Sequence, residues 1–518
     1  MNDGPDGNSR GGRAAHTDRM VLLATTLGST MVFLDGSVVN VVLPVLQSEL
    51  GGSFATAQWV VEAYALFFAA LLLAGGALGD RIGRKRVLAL GVAVFTAASA
   101  ACGLAPGPAV LIGARAVQGL GAAMLAPNSL AVISAHFPDG ARGRAIGTWS
   151  GFSALASGAG PLVGGWLADQ ASWRWIFALN IPVGLVVLAV LRAVPESRDA
   201  GTPRALDRAG AVLATAGLGG VVYGLIEANQ AGFGSWHVAS ALAAGAACII
   251  AFFIVERRRP HPMLPLGLFR SRTFSGANLL TLGLYGALAT GLFFLPFYLV
   301  QYRGYSPTLA GASLSPFVLL MLALSRASGG LLQRTGARLP LTIGPLIAAS
   351  AFVWLSRTAH TAGYWTGVFP GVALLGLGMA TTVAPLTTVV MGAVPSRHTG
   401  LAAGINNAAS RVAGLLAIAA LSVVLVALFA SHLDARLAAL DVPRTVREDV
   451  LAHRDELLEL EMPTDLGPAS AEDAEAAKRG AFADAYATIM LVVAGLAAAS
   501  GLVGAGMIGK ASAAAPPR

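Results

Sequence analysis

Three ionisable side chains stand inside long apolar runs, and they are where chemistry must be sought. Asp35 lies near the middle of Phe33-Leu34-Asp35-Gly36-Ser37-Val38-Val39-Asn40-Val41-Val42-Leu43-Pro44. Glu62 follows in Gln58-Trp59-Val60-Val61-Glu62-Ala63-Tyr64, and Arg115 in Leu111-Ile112-Gly113-Ala114-Arg115-Ala116-Val117-Gln118-Gly119. A charge at bilayer depth costs roughly 3 kcal/mol on insertion scales, so ionisable residues at that depth mark ion or substrate pathways and are paired. A carboxylate is suited to taking up and releasing a proton, and an arginine to holding it. At about 1.5 Å per residue, each of the three lies roughly 9–17 Å from the same end of its run. That arithmetic predicts one shared cluster.

The elements that must carry these residues are membrane helices. Of the 518 residues, 55% are hydrophobic and only 12% charged. A soluble domain carries about twice that charge fraction. The apolar residues form fourteen expected spans: 20–46, 56–78, 87–105, 109–134, 144–168, 174–193, 209–228, 237–255, 273–301, 308–332, 340–356, 364–390, 400–429 and 484–508. Most exceed the ~20 residues needed to cross ~30 Å. Charge placement supports an even number. The basic residues gather in segments on the side of the N-terminus, and the short loops opposite hold Arg303 and Arg357. Positive short loops belong inside, so both termini are expected in the cytoplasm. The formal net charge of +8 is then topology, with contact to anionic lipid as a by-product. Scattering over separate loops argues against nucleic-acid binding.

The chain divides into a polar tail (1–19), six spans (20–193), an inserted pair with linkers (194–272), six more spans (273–508) and a second tail (509–518). The first tail lacks an apolar stretch, so the first span is expected to be an uncleaved anchor. Gly76-Ala77-Leu78-Gly79-Asp80-Arg81-Ile82-Gly83-Arg84-Lys85 aligns without a gap on Gly329-Gly330-Leu331-Leu332-Gln333-Arg334-Thr335-Gly336-Ala337-Arg338. Each follows the second span of a six-span unit, as an internal repeat requires. The long hydrophilic stretch 430–483 holds twelve Asp+Glu against six Lys+Arg. It reads as a solvated outer loop with short amphipathic helices broken at Pro443 and Pro463. Cys102 and Cys248 fall inside spans and are expected to be free thiols. The dispersed histidines, with no phosphate loop and no Ser-His-Asp grouping, argue against an enzyme, a metal site or a cofactor.

Two further motifs complete the pattern. In Ala156-Ser157-Gly158-Ala159-Gly160-Pro161-Leu162-Val163-Gly164-Gly165, residues 156, 160 and 164 form a stripe of small residues for close helix packing. Pro161 removes one backbone hydrogen bond there. Trp173-Arg174-Trp175-Ile176-Phe177-Ala178-Leu179-Asn180-Ile181-Pro182-Val183-Gly184 reads chiefly as a membrane-border anchor. With the Asp35 stretch, the Gly76–Arg86 loop and Arg115, these motifs resemble a major facilitator superfamily transporter, of the 14-span drug:proton antiporter family (QacA/EmrB type).

The resemblance covers nearly the whole chain, with Ser37, Val42 and Ala156 as departures. It implies an all-α integral membrane protein of two six-helix bundles plus two extra helices. It implies a proton-coupled exporter of a hydrophobic drug or antibiotic, cationic compounds among the candidates. Asp35, Glu62 and Arg115 would serve proton coupling and substrate. Gly76, Asp80, Arg81, Gly83 and Arg84, with Gly160, Pro161, Gly164 and Gly165, would serve gating. In such a gate Asp80 would meet the start of span thirteen near Thr399 and Gly400. Spans seven and eight are expected beside the bundles, outside the transport path. The rival is a proton-driven symporter importing a small metabolite; the Gly-Pro motif and the 14-span layout argue against it. Of the polar residues in the later spans, Asn278, Tyr285, Arg326, Asn406, Asn407 and Arg411 are expected mostly to join helices.

Overall fold

A computed structural model describes residues 6–50, 53–198, 207–260, 262–361, 363–395, 398–440, 442–460, 462 and 468–509. Among them there is no strand. The long helices are α1 (Asp6–Glu49), α2 (Phe54–Ile82), α3 (Arg84–Gly103), α4 (Pro108–His136), α5 (Asp139–Gln170), α6 (Arg174–Ala193), α7 (Arg208–Ala231), α8 (Trp236–Arg258), α9 (Arg272–Tyr302), α10 (Pro307–Ser313 continued by Ser315–Thr335), α11 (Arg338–Arg357), α12 (Tyr364–Gly392), α13 (Thr399–Ala439) and α14 (Pro468–Met507). Thirteen helices among the described residues are long and apolar enough to cross a membrane. The expected span 144–168 falls in α5, which has the length, 32 residues, but not the composition. Eight glycines with Arg142 and Arg144 dilute its apolar character.

The internal repeat is visible in the packing. In the first six helices α2 packs on α4, α3 on α4 and α1 on α5. The same pairings recur as α10 on α12, α11 on α12 and α9 on α13. The aligned turns match too: Gly83 (φ 119°) separates α2 from α3, and Gly336 (φ 74°) separates α10 from α11. Both values are costly for a side chain bearing Cβ and free for glycine. Arg326 and Gln333 lie where side chains are outside the described residues.

The halves meet along two seams, α5 with α10 and α2 with α13. Helix α7 packs on α8 and also lies against α2 and α13. There Leu218, Val222 and Ile226 join Leu66, Ala70, Leu415 and Ala419. The α5/α10 seam is tight far from the termini. A Cβ on Gly165 would lie 2.1 Å from the Pro307 carbonyl oxygen, and one on Gly311 2.0 Å from that of Pro161. One on Gly158 would strike Val318. Further toward the termini, Gly151 and Gly147 share this face of α5 and meet nothing within 4 Å among the described residues. The close approach of α5 to α10 falls mainly on Pro307–Ser313, so the two helices part toward the face that carries the termini, here called the inner face.

The outer face is also covered, contrary to the expectation of a solvated loop. Helix α13 runs on to Ala439 and α14 begins at Pro468. Between them lie a helix, Arg444–Ala452, and a 3-10 turn, Arg454–Glu459. Residues 441, 461 and 463–467, Pro463 among them, lie outside the described residues. Gln47 donates to the Glu456 carbonyl (3.2 Å), Gln230 to the Asp455 carboxylate (2.8 Å) and Gln301 to the Glu459 carboxylate (3.0 Å). Leu457 is fully buried, at φ 55°. Hydrophobic residues at helical spacing, Leu433 and Leu437 with Val450, fold this segment down as a cap.

Candidate functional site

Asp35 and Arg115 are buried together inside the first six helices. Their side chains are 0% and 1% exposed, with Arg115 Nη1 2.5 Å from Asp35 Oδ2. The pair's other hydrogen bonds come from three helices, and a fourth is joined through Gln118. Gln118, one turn beyond Arg115 on α4, donates to Asp35 Oδ1 (2.7 Å) and to Ser99 Oγ on α3 (2.8 Å). Asn180 on α6 donates to the same Asp35 oxygen (3.1 Å). Arg115 also donates to Gln118 Oε1 (2.6 Å) and, through Nε, to the Val60 carbonyl on α2 (2.9 Å). Its guanidinium lies 4.3 Å over the Tyr64 ring. Buried ions are tolerated when paired and hydrogen-bonded. Here both are, and the network ties α1, α2, α3, α4 and α6 at one point.

Glu62 does not join this cluster, although the depth arithmetic predicted that it would. Tyr64 faces Arg115, and Glu62, two residues earlier, points about 200° away around α2. It shares a stripe with Gln58 and Phe54 at spacing four. Phe54 packs on Phe293, Phe294 and Phe297 of α9, so this stripe faces the other half of the molecule. Glu62 is fully buried, and among the described residues neither of its oxygens meets a donor in good hydrogen-bond geometry, the Gln58 amide one turn earlier being the polar group within its reach. Depth along a helix was legible; the angle around it was misjudged.

The Gly-Pro motif lies between the halves. Gly160 lets α5 approach Ser37 and Gly164 lets it approach Val38, both within a turn of Asp35 on α1. On the opposite side, Pro161 and Gly165 touch α10. One helix thus links the Asp35 turn to the seam between the halves.

The inner loop is built differently from expectation. Asp80 accepts two hydrogen bonds from Arg84 (3.0 and 2.8 Å), and among the described residues none joins it to the start of α13. The loop instead grips Glu196, beyond α6: Lys85 N donates to its carboxylate (3.0 Å) and Arg86 lies 3.7 Å from it. A Cβ on Gly83 would strike that carboxylate. Arg81 is exposed, and a Cβ on Gly76 would rest on Pro127.

Asn180, Gln118, Ser99 and Glu196 were not singled out from the sequence. Asn180 had a signal, a lone amide in an apolar helix, within a motif read as a border anchor. Trp175 does stand exposed, whereas Trp173 is fully buried and donates to Glu49 (2.9 Å). In the second half Asn406 donates to Asn278 (3.2 Å) and Thr281 (2.7 Å), joining α13 to α9 as expected. Cys102 and Cys248 are free thiols. A groove of about 350 Å³ between α10, α11 and α12 is lined by Leu320, Trp354, Pro370, Ala373, Leu374 and Leu377 and presents no polar surface.

The family model described as Major Facilitator Superfamily matches residues 25–418. The chain is 36% identical over 437 residues to multidrug resistance protein Stp of Mycobacterium tuberculosis, covering 84% of this chain and 81% of that protein. It is 33% identical over 436 residues to the tetracenomycin C resistance and export protein of Streptomyces glaucescens, covering 84% and 81%. It is 38% identical over 420 residues to a puromycin resistance protein of Streptomyces alboniger, covering 80% and 82%. In fold it is similar to a bacterial homologue of the human lysosomal transporter Spinster, with TM-score 0.64, 18% identity and coverage of 94% and 97%. The repeated helix pairings, the charged network inside the first six helices and the match over most of the length agree: the chain belongs to the major facilitator superfamily.

Proposed function

We propose that this protein is a proton-coupled antiporter that exports hydrophobic drugs or antibiotics across the cell membrane, with both termini in the cytoplasm. The observation that carries the reading is the buried Asp35 carboxylate, held by Arg115, Gln118 and Asn180 and cut off from solvent. The resistance and export names of its relatives supply the direction of transport. The splayed inner seam and the covered outer face correspond to the state that admits cargo from inside. In the opposite state the outer seam would part and Asp35 would meet protons from outside. Protonating it removes the charge that Arg115 holds, which frees the guanidinium and loosens the α1–α4 contact. The six-plus-six division, with α7 and α8 as an added pair, gives the two bodies that rock around a midplane cavity. Gly160, Pro161, Gly164 and Gly165 let α5 carry that change to α10. Each proton entering against a neutral cargo gains about 2.3 kcal/mol per 100 mV. No resident cofactor is required.

The test is transport of a neutral dye, Nile red, in everted vesicles under an imposed proton gradient. Wild type accumulates dye and Asp35→Asn does not, at equal expression. Accumulation by wild type that ignores a proton uncoupler would sink the proposal.

A further inference from the structure

Arg411 is a second arginine at membrane depth, and it is held quite differently. It lies twelve residues into α13, about 18 Å along the helix axis, near the midplane of a ~30 Å core. Among the described residues it has no hydrogen-bond or ion-pair partner, whereas Arg115 has an ion pair and two further acceptors. Its surroundings are aromatic. The guanidinium lies 4.7 Å over the Phe68 ring of α2. Tyr64 of α2 and Tyr285 of α9 are within reach of its charge. Arg411 and Tyr285 are only partly buried, and Asn407, one turn earlier on α13, is exposed. Tyr64 is 4% exposed, yet among the described residues its hydroxyl has no hydrogen-bond partner. The carboxylates nearby are committed elsewhere: Asp35 is bound inside the first six helices, and Glu62 is buried at another level and another face of α2.

An uncompensated cation at this depth is costly and is retained for function. A guanidinium with free donors and the aromatic face of Phe68 against it suits a flat, negatively charged group, which it can bind through two parallel N–H bonds. We infer that Arg411, with Tyr64, Tyr285 and Phe68, forms the cargo site between the halves and selects amphiphiles that carry an aromatic ring and a carboxylate or another oxyanion. This deepens the exporter reading and rests on it.

The same geometry explains coupling. Tyr64 is acted on by both arginines: Arg115 is stacked on its ring, and the charge of Arg411 is felt there as well. A cargo anion on Arg411 shifts the tyrosine, and the tyrosine is the support on which Arg115 holds Asp35. Cargo and proton therefore act on each other across one side chain, and linkage requires that the effect be mutual.

The test uses three probes of one shape: 1-pyrenebutyrate (anion), 1-pyrenebutanol (neutral) and 1-pyrenemethylammonium (cation). Full-length wild type, Arg411→Gln, Arg411→Lys and Asp35→Asn are compared by probe-induced melting shift in detergent and by uptake into everted vesicles. Wild type is expected to prefer the anion to the cation by about tenfold, the worth of one charged hydrogen bond. Arg411→Gln should lose that preference while keeping the alcohol, and Arg411→Lys should keep part of it. A wild type that prefers the cation, or that shows no shift with any probe, overturns the inference. So does an equal loss for all three probes in both Arg411 variants, which is what a purely structural arginine would give. If the anion shifts melting in wild type but not in Arg411→Gln and no probe is transported, the site stands and the exporter reading fails.

Discussion

Removing the two members of the Asp35–Arg115 pair has unequal consequences. Arg115→Gln strands a buried carboxylate, and breaking a buried ion pair in this way costs about 3–5 kcal/mol. Asp35→Asn leaves Arg115 its bonds to Val60 and Gln118 and its place over Tyr64, so the loss should be smaller. Melting of the purified variants should rank wild type above Asp35→Asn above Arg115→Gln, and the double variant should recover part of the loss. Proton release on substrate addition, read with a pH dye, should vanish in both single variants; release from Asp35→Asn equal to wild type would place the proton elsewhere. Glu62 gives the opposite expectation. Among the described residues its oxygens are buried without a well-placed donor, and an amide costs less to bury than a carboxylate anion. Glu62→Gln should melt at or above wild type, and a clear drop would mean that the carboxylate has a partner in the working protein.

At the scale of elements, α5 and the Gly76–Arg86 loop should push the conformational balance in opposite directions. The outer seam closes only because Gly165 lies against the Pro307 carbonyl, with no room for a Cβ at 2.1 Å. Gly165→Leu should therefore wedge the outer seam and raise labelling of an engineered cysteine at its outer end. Asp80→Asn removes the carboxylate expected to cap α13 when the inner seam shuts, and should raise labelling from inside. The capping contact belongs to the inner-closed state, so Asp80→Asn should leave the melting of the inner-open state nearly unchanged; its bond to Arg84 is half-exposed and worth little. Unchanged labelling on both faces would remove both elements from the gate. The outer cap is a third element with its own test. Leu457 is fully buried beneath it, and Leu→Ala at such a site costs about 2–5 kcal/mol. Leu457→Ala should expose the 444–460 segment to protease while α1–α6 stay intact.

On the scale of the molecule, the pairings of α1–α5 recur in α9–α13, yet the chemistry of the halves does not. The first half buries an ion pair and is rigidified by it. The second half holds its helices with amides, Asn406 to Asn278 and Thr281, and presents a bare arginine to the seam. The proposed proton site in one half and the proposed cargo site facing the other would be coupled by relative motion of the halves. The two seams, α5 with α10 and α2 with α13, are related by the repeat and are where that motion must be accommodated.

The sequence determined much of this by itself. Long apolar runs can satisfy their backbone in a bilayer only as helices, so the all-helical membrane architecture follows from composition, and charge placement supplies the expected orientation. The repeat was legible because Gly83 and Gly336 both need a positive φ, which few other residues supply. Asp35 and Arg115 were legible because a charge in an apolar helix needs a partner. What only the tertiary structure decided is which faces meet. Two residues along α2 separate Tyr64, beneath Arg115, from Glu62, which faces the other half, and no spacing rule fixes the rotation of a helix that is apolar all round. Likewise the acidic segment reads as solvated loop because its few leucines and valines find their partners only once α1, α7 and α9 are brought beneath it. Arg411 has no partner in the sequence to announce it; its isolation appears only when the helices around it are in place.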